Sequence, residues 1–99
     1  MDTIEVKDFK KFLESNKEYM IIDIRSFGEI RRMRMIENSV NMPIEEIQDN
    51  IDELPDNIPL FIVCAVGIRA RRIASVLKNA GKDAIVLEGG INAYYNSLI

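Results

Sequence analysis

Apolar residues along this chain fall into two alternating patterns, short continuous runs and stretches that repeat every third or fourth position. A continuous run of about four to eight residues reads as a strand buried on both faces, and the longer repeat reads as one side of a helix. Tyr19-Met20-Ile21-Ile22-Asp23-Ile24-Arg25 is such a run, apolar until Asp23 and Arg25 at its exit. Leu60-Phe61-Ile62-Val63-Cys64 is a second, Ala84–Leu87 a third, and Thr3–Val6 and Ser39-Val40-Asn41-Met42 are shorter candidates. Between them, Phe9, Phe12 and Leu13 predict a helix within Val6–Ser15. Ile44, Ile47 and Ile51 would line the buried side of a second helix, begun at Pro43 with Glu45 and Glu46 in its first turn.

Ile73, Val76, Leu77 and Ala80 predict a longer helix over Ile68–Ala80, stopped by Gly81, and Ile91–Leu98 a terminal helix after a Gly89-Gly90 turn. Residues 26–37 admit a short helix without a defined face, and Leu54–Pro59 is a connector built from turn residues. Strands alternating with helices imply an α/β fold, with an open, mainly parallel five-stranded sheet and helices on both faces.

With 99 residues, 47% of them hydrophobic, the chain has enough apolar surface for one core, so residues 1–99 are expected to form a single domain. A net charge of −3 disfavours nucleic acid as a partner, because neutralising phosphates needs an excess of cations. Arg25, Arg31, Arg32 and Arg34 form one cationic cluster and Arg69, Arg71 and Arg72 another, while Glu45, Glu46, Asp49, Asp52, Glu53 and Asp56 form an acidic stretch without a base. Solvated surface accounts for most of these charges. No apolar stretch approaches the ~20 residues that span a bilayer, and Met1–Glu5 lacks the blocks of a secretory signal. A cytoplasmic protein with a reduced thiol, and no membrane partner, is expected.

The chain has no histidine and one cysteine, so neither a Ser-His-Asp triad, a Cys-His pair nor a histidine or multi-thiolate metal site can be built. No metal and no cofactor is expected. Cys64 instead stands where a strand ends and a helical pattern is about to begin, the position at which ligands of parallel sheets collect. In Cys64-Ala65-Val66-Gly67-Ile68-Arg69, successive N–H groups can surround the sulfur, Gly67 permits a tight curl, and the helix N-terminus and Arg69 add positive potential. Such neighbours favour the thiolate, which is the reactive form. The plain alternative is a small buried residue at a strand end. Asp23 and Arg25, two apart and so on one side of their strand, suit a structural ion pair.

Together these segments resemble the rhodanese-like family of sulfurtransferases. Asp23-Ile24-Arg25 looks like the family's Asp-x-Arg strand end, Asn41-Met42-Pro43 like its Asn-hydrophobic-Pro segment, Cys64–Arg69 like its six-residue active-site loop, and Leu87-Glu88-Gly89-Gly90-Ile91 like its Gly-Gly turn. They stand in family order over nearly the whole chain. Two departures are visible. Arg34-Met35-Ile36-Glu37-Asn38-Ser39 replaces the common Gly-His-Ile-x-Gly-Ala, and Tyr94 stands where tryptophan is frequent.

The resemblance implies that Cys64 takes a sulfane sulfur from a small anionic donor (thiosulfate, persulfide or polysulfide), holds it as a persulfide, and passes it to a thiol, cyanide or a protein cysteine. Ala65, Val66, Gly67, Ile68 and Arg69 would bind the donor, with Arg69 orienting it, and Asp23 and Arg25 would support the loop. The Cys-x-Val-Gly-x-Arg form also resembles the rhodanese domain of some coenzyme A-disulfide reductases. Cysteine-dependent phosphatases use a similar loop with one more residue between cysteine and arginine, so the ring here is narrower than a phosphate needs. A non-catalytic rhodanese-like binding module is a third class, disfavoured by the retained cysteine.

Overall fold

Leu60–Val63 (β4) lies at the centre of the sheet, because only a strand flanked on both edges and covered on both faces hides four consecutive apolar side chains. In the computed structural model, which describes residues 2–99, the other strands are β1 (Thr3–Ile4), β2 (Met20–Asp23), β3 (Ser39–Asn41) and β5 (Ala84–Leu87). They form one parallel sheet in the order β1-β5-β4-β2-β3. Asp23 is level with Val63 in the register, so β2 and β4 end side by side. After β2 the chain crosses to β3 on one side, and after β4 to β5 on the other. Connections that part in this way leave a crevice at the carboxyl ends of the two strands.

Alternation along the strands divides the core between the two faces. Ile22, Ile24, Leu60, Ile62, Cys64, Ala84 and Val86 pack with α3 (Ile44–Asn50) and α4 (Ile68–Asn79), whereas Ile21, Phe61, Val63, Ile85 and Leu87 pack with α1 (Val6–Leu13) and α5 (Gly90–Asn96). On the second face Phe9 meets Phe61 edge-on at 5.1 Å, a contact that adds about 0.5–1.5 kcal/mol beyond simple burial. The ill-defined stretch 26–37 holds a single short helix, α2 (Phe27–Arg32), that buries none of its residues. A helix without an apolar face depends on its ends, and α2 starts with a capping box between Ser26 and Glu29.

Three local expectations are corrected. The buried face of α4 is Ala70, Ile73, Ala74 and Leu77, with Val76 and Ala80 exposed, because the i, i+3, i+4, i+7 series starts at Ala70 and not at Ile73. Ile44, expected inside, is 37% exposed, because the first turn of α3 lies beyond the core that closes over Ile47 and Ile51. The acidic stretch does have a base: buried Lys82 donates to the Leu54 carbonyl at 2.7 Å and to Asp56 at 2.5 Å, pinning the connector beneath α4. Gly81, at φ +85°, ends α4 as expected, with the amides of Gly81 and Lys82 returning to the carbonyls of Lys78 and Leu77.

Candidate active site

At the end of β2, Asp23 and Arg25 are both buried and bonded to each other. The Arg25 Nη2 lies 2.9 Å from the Asp23 carboxylate, Nε donates to both carboxylate oxygens at 3.1 Å, and Nη1 reaches the Met33 carbonyl at 2.8 Å. Asn41 adds a second tie, its amide donating to the carbonyls of Asp23 and Arg25 at 2.8 and 3.1 Å. The two charges thus satisfy one another, as buried charges must, and hold the segment after α2. Further along that segment Ile36 is buried and the Tyr95 hydroxyl donates to the Met35 carbonyl at 2.8 Å.

At the end of β4 the arrangement is different. Cys64 is 1% exposed, and its Sγ accepts the Gly67 N–H at 3.1 Å. Gly67 has φ +97°, a left-handed conformation that glycine adopts without strain, and it forms the N-cap of α4. The carbonyls of Cys64 and Ala65 are taken by the amides of Ile91 and Asn92 at 2.9 and 3.1 Å, so α5 holds the loop from below. That approach requires glycine at 90, where a Cβ would run into the Cys64 carbonyl oxygen and stand 2.7 Å from that of Ala65. Among the described residues the amides of Ala65, Val66, Ile68 and Arg69 find no acceptor. The first N–H groups of a helix are free for this reason, and α4 presents them at the positive end of its dipole. The loop's side chains Val66 and Ile68 are exposed, and Ala65 is half-buried.

Arg69 has a partner that sequence reading missed. Its Nη1 and Nη2 donate to the two carboxylate oxygens of Glu29 at 2.8 and 2.7 Å, a bidentate pair that bridges α4 to α2 across the crevice. The Glu29 carboxylate also closes the α2 capping box, accepting the Ser26 N–H at 3.1 Å. The Arg69 guanidinium, foremost, holds the Glu29 carboxyl down at about 2, and Glu29 in turn raises the pKa of Arg69. Ser26-Phe27-Gly28-Glu29 was a readable signal, since Ser three residues before Glu is the sequence form of a capping box. Arg31, Arg32 and Arg34 do not converge on the loop. Arg31 and Arg32 line a shallow depression with Gly28, and Arg34 lies over the Tyr95 ring in another with Met35, Glu37, Tyr94 and Leu98.

A sequence model described as the rhodanese-like domain matches residues 5–97. The chain belongs to the rhodanese-like domain family. A rhodanese-like domain protein from Staphylococcus aureus has a similar structure, with a TM-score of 0.87 and 33% identity over 95% of this chain and 91% of that one. Among curated proteins of Bacillus subtilis, a candidate sulfur carrier protein, YrkF, is 26% identical over 84% of this chain, and a candidate sulfurtransferase, YtwF, is 24% identical over 92%. The chain spans 44% of YrkF and 87% of YtwF. Family and relatives together support sulfur transfer in general. No helix among the described residues is long and apolar enough to cross a membrane.

Proposed function

We propose that this rhodanese-like domain is a sulfurtransferase in which Cys64 carries a sulfane sulfur as a persulfide. The observation that carries the reading is the setting of the sulfur: a lone buried Sγ, bonded by the Gly67 N–H, at the foot of a helix whose first amides have no acceptor among the described residues. A group that gains negative charge on a second sulfur is stabilised by donors of this kind, fixed before the reaction begins. In the loading step the Cys64 thiolate attacks the outer sulfur of the donor. The new bond joins Sγ to that sulfur, the donor's sulfur–sulfur bond breaks, and its electron pair leaves on sulfite or on a thiolate. In the second step a thiol or cyanide attacks the outer sulfur, and the electron pair returns to Sγ. Neither step changes the overall redox balance, and neither requires a metal or a histidine base.

Ala65, Val66, Gly67, Ile68 and Arg69 form the rim that meets the donor, and Asp23 and Arg25 support it from the neighbouring strand without reacting. With a single cysteine in the chain, the persulfide is discharged by an external acceptor, which is a small thiol, cyanide or a cysteine of another protein. Such a cycle suits a reducing compartment such as the cytoplasm. Mass spectrometry of protein exposed to thiosulfate, and separately to an alkyl persulfide, should show one added sulfur on Cys64 and its loss on cyanolysis. Cys64→Ser, nearly isosteric, should fold normally and carry none. Thiocyanate release at the wild-type rate from the serine variant would sink the assignment.

A further inference from the structure

The charge at the loop mouth bears on which donor the site takes, and it depends on Glu29. Arg69 is the one cation of the loop 64–69, and the Glu29 carboxylate takes one N–H from each of its terminal nitrogens. The pair is neutral as a unit. Of the two cations that follow on α4, Arg71 pairs with Glu88 at 3.4 Å, and Arg72 shares a small cavity with Arg69, Ile44, Ile73 and Val76 that includes no residue of 64–68. The loop's own side chains around the unpaired amides are apolar and open to solvent, Val66 50% and Ile68 68% exposed.

A ring of amides and a helix dipole stabilise about one negative charge. Thiosulfate brings two, and its strongly hydrated sulfonate would have to be stripped of water against Val66 and Ile68, beside a guanidinium whose charge Glu29 already balances. An organic persulfide brings one charge on the sulfur that reacts and an apolar or weakly polar tail that fits the rim. We infer that Glu29 is a specificity-determining residue, which by neutralising Arg69 selects organic persulfides over thiosulfate as the sulfur donor. Glu29 touches neither the sulfur nor the donor; it acts through Arg69. This inference rests on the proposed Cys64 persulfide cycle and names its donor class. The atoms balance as above: the outer sulfur joins Sγ and the alkyl thiolate departs with the electron pair.

The test compares second-order rates of Cys64 loading from thiosulfate and from 2-hydroxyethyl persulfide, whose tail is uncharged, in wild type, Glu29→Gln and Ser26→Ala. Wild type should load faster from the persulfide. Glu29→Gln keeps a carbonyl oxygen for the cap but frees the Arg69 charge, so the thiosulfate-to-persulfide rate ratio should rise about tenfold, through a lower KM for thiosulfate, and fall back as salt screens the guanidinium. Ser26→Ala weakens the cap and leaves the Glu29 charge, so its ratio should stay within about twofold of wild type while its melting temperature drops. An unchanged ratio in Glu29→Gln, or the same change in Ser26→Ala, would overturn the inference and reduce Glu29 to a helix cap. Faster loading of wild type from thiosulfate than from the persulfide would also overturn it. If wild type loads from neither donor, the persulfide cycle itself fails, and the inference fails with it.

Discussion

The carboxyl ends of β2 and β4 are adjacent and level, yet they are finished in opposite ways. At β2 the side chains do the work: Asp23 and Arg25, 0% and 2% exposed, saturate each other, and the spare guanidinium nitrogen is taken by the Met33 carbonyl. At β4 the backbone does it. The carbonyls of Cys64 and Ala65 are tied to α5, Gly67 curls the loop, and a set of amides is left with no acceptor among the described residues. The free donors come from the loop and the first turn of α4, not from the strand itself, and the buried ion pair at β2 makes a closed wall beside them. The proposed chemistry belongs to the open end, and stability to the closed one.

Removing one side of the closed end should give the largest effect on stability. Arg25→Met leaves the Asp23 carboxylate buried without its partner and should cost about 3–5 kcal/mol in urea denaturation, whereas the double variant Asp23→Leu/Arg25→Met should recover most of that loss. A loss below about 1 kcal/mol would put the pair on a par with an exposed ion pair and erase the contrast between the two ends.

Strand positions and the placement of Cys64 at a strand end were legible because they depend on local facts, namely apolar runs and turn residues. The pairing of Asp23 with Arg25 was legible too, since a two-residue spacing in a strand fixes both side chains on one side. Glu29 was not read as part of the site. Its partner Arg69 lies forty positions away, and the crevice that brings them together exists only once β3 and β5 have been placed on opposite sides of the β2–β4 pair. The arginine cluster divides in space for the same reason: Arg31 and Arg32 line one depression, and Arg34, beyond the end of the short helix, lies in another. The face of α4 was shifted by three positions because alanines at 70 and 74, small enough to pack closely on the sheet, add little to a hydrophobic pattern.

Two glycines sharpen the account of the open end. Gly90→Ala should destabilise the protein by about 2–4 kcal/mol, since the new methyl group strikes the Cys64 and Ala65 carbonyls at a position that is also left-handed, φ +61°. Gly67→Ala meets no atom nearer than 3.5 Å, so only its φ of +97° opposes the change and about 1–2 kcal/mol is expected. Chemical denaturation of both variants tests the order. A Gly67→Ala loss equal to or larger than that of Gly90→Ala would mean that the curl at the sulfur, and not the seat on α5, holds the loop.

The smallest effect concerns the bridge between the two ends. Glu29 has its pKa lowered from 4.5 to about 2, chiefly by the Arg69 guanidinium. Because the folded protein holds this carboxyl below its unfolded value, the pair stabilises the fold fully above about pH 4.5, and that contribution disappears as pH falls toward 2. Glu29 is 28% exposed and Arg69 37%, so water screens the pair and its contribution should be under about 1 kcal/mol. Melting temperatures of wild type and Glu29→Gln should therefore differ by a small, constant margin from pH 7 to pH 5 and converge between pH 4.5 and 2. Added salt at pH 7 should narrow the margin in the same way. A margin that ignores both pH and salt would assign the stabilisation to the uncharged part of the Ser26 cap, and the bridge would then hold the crevice by hydrogen bonds alone.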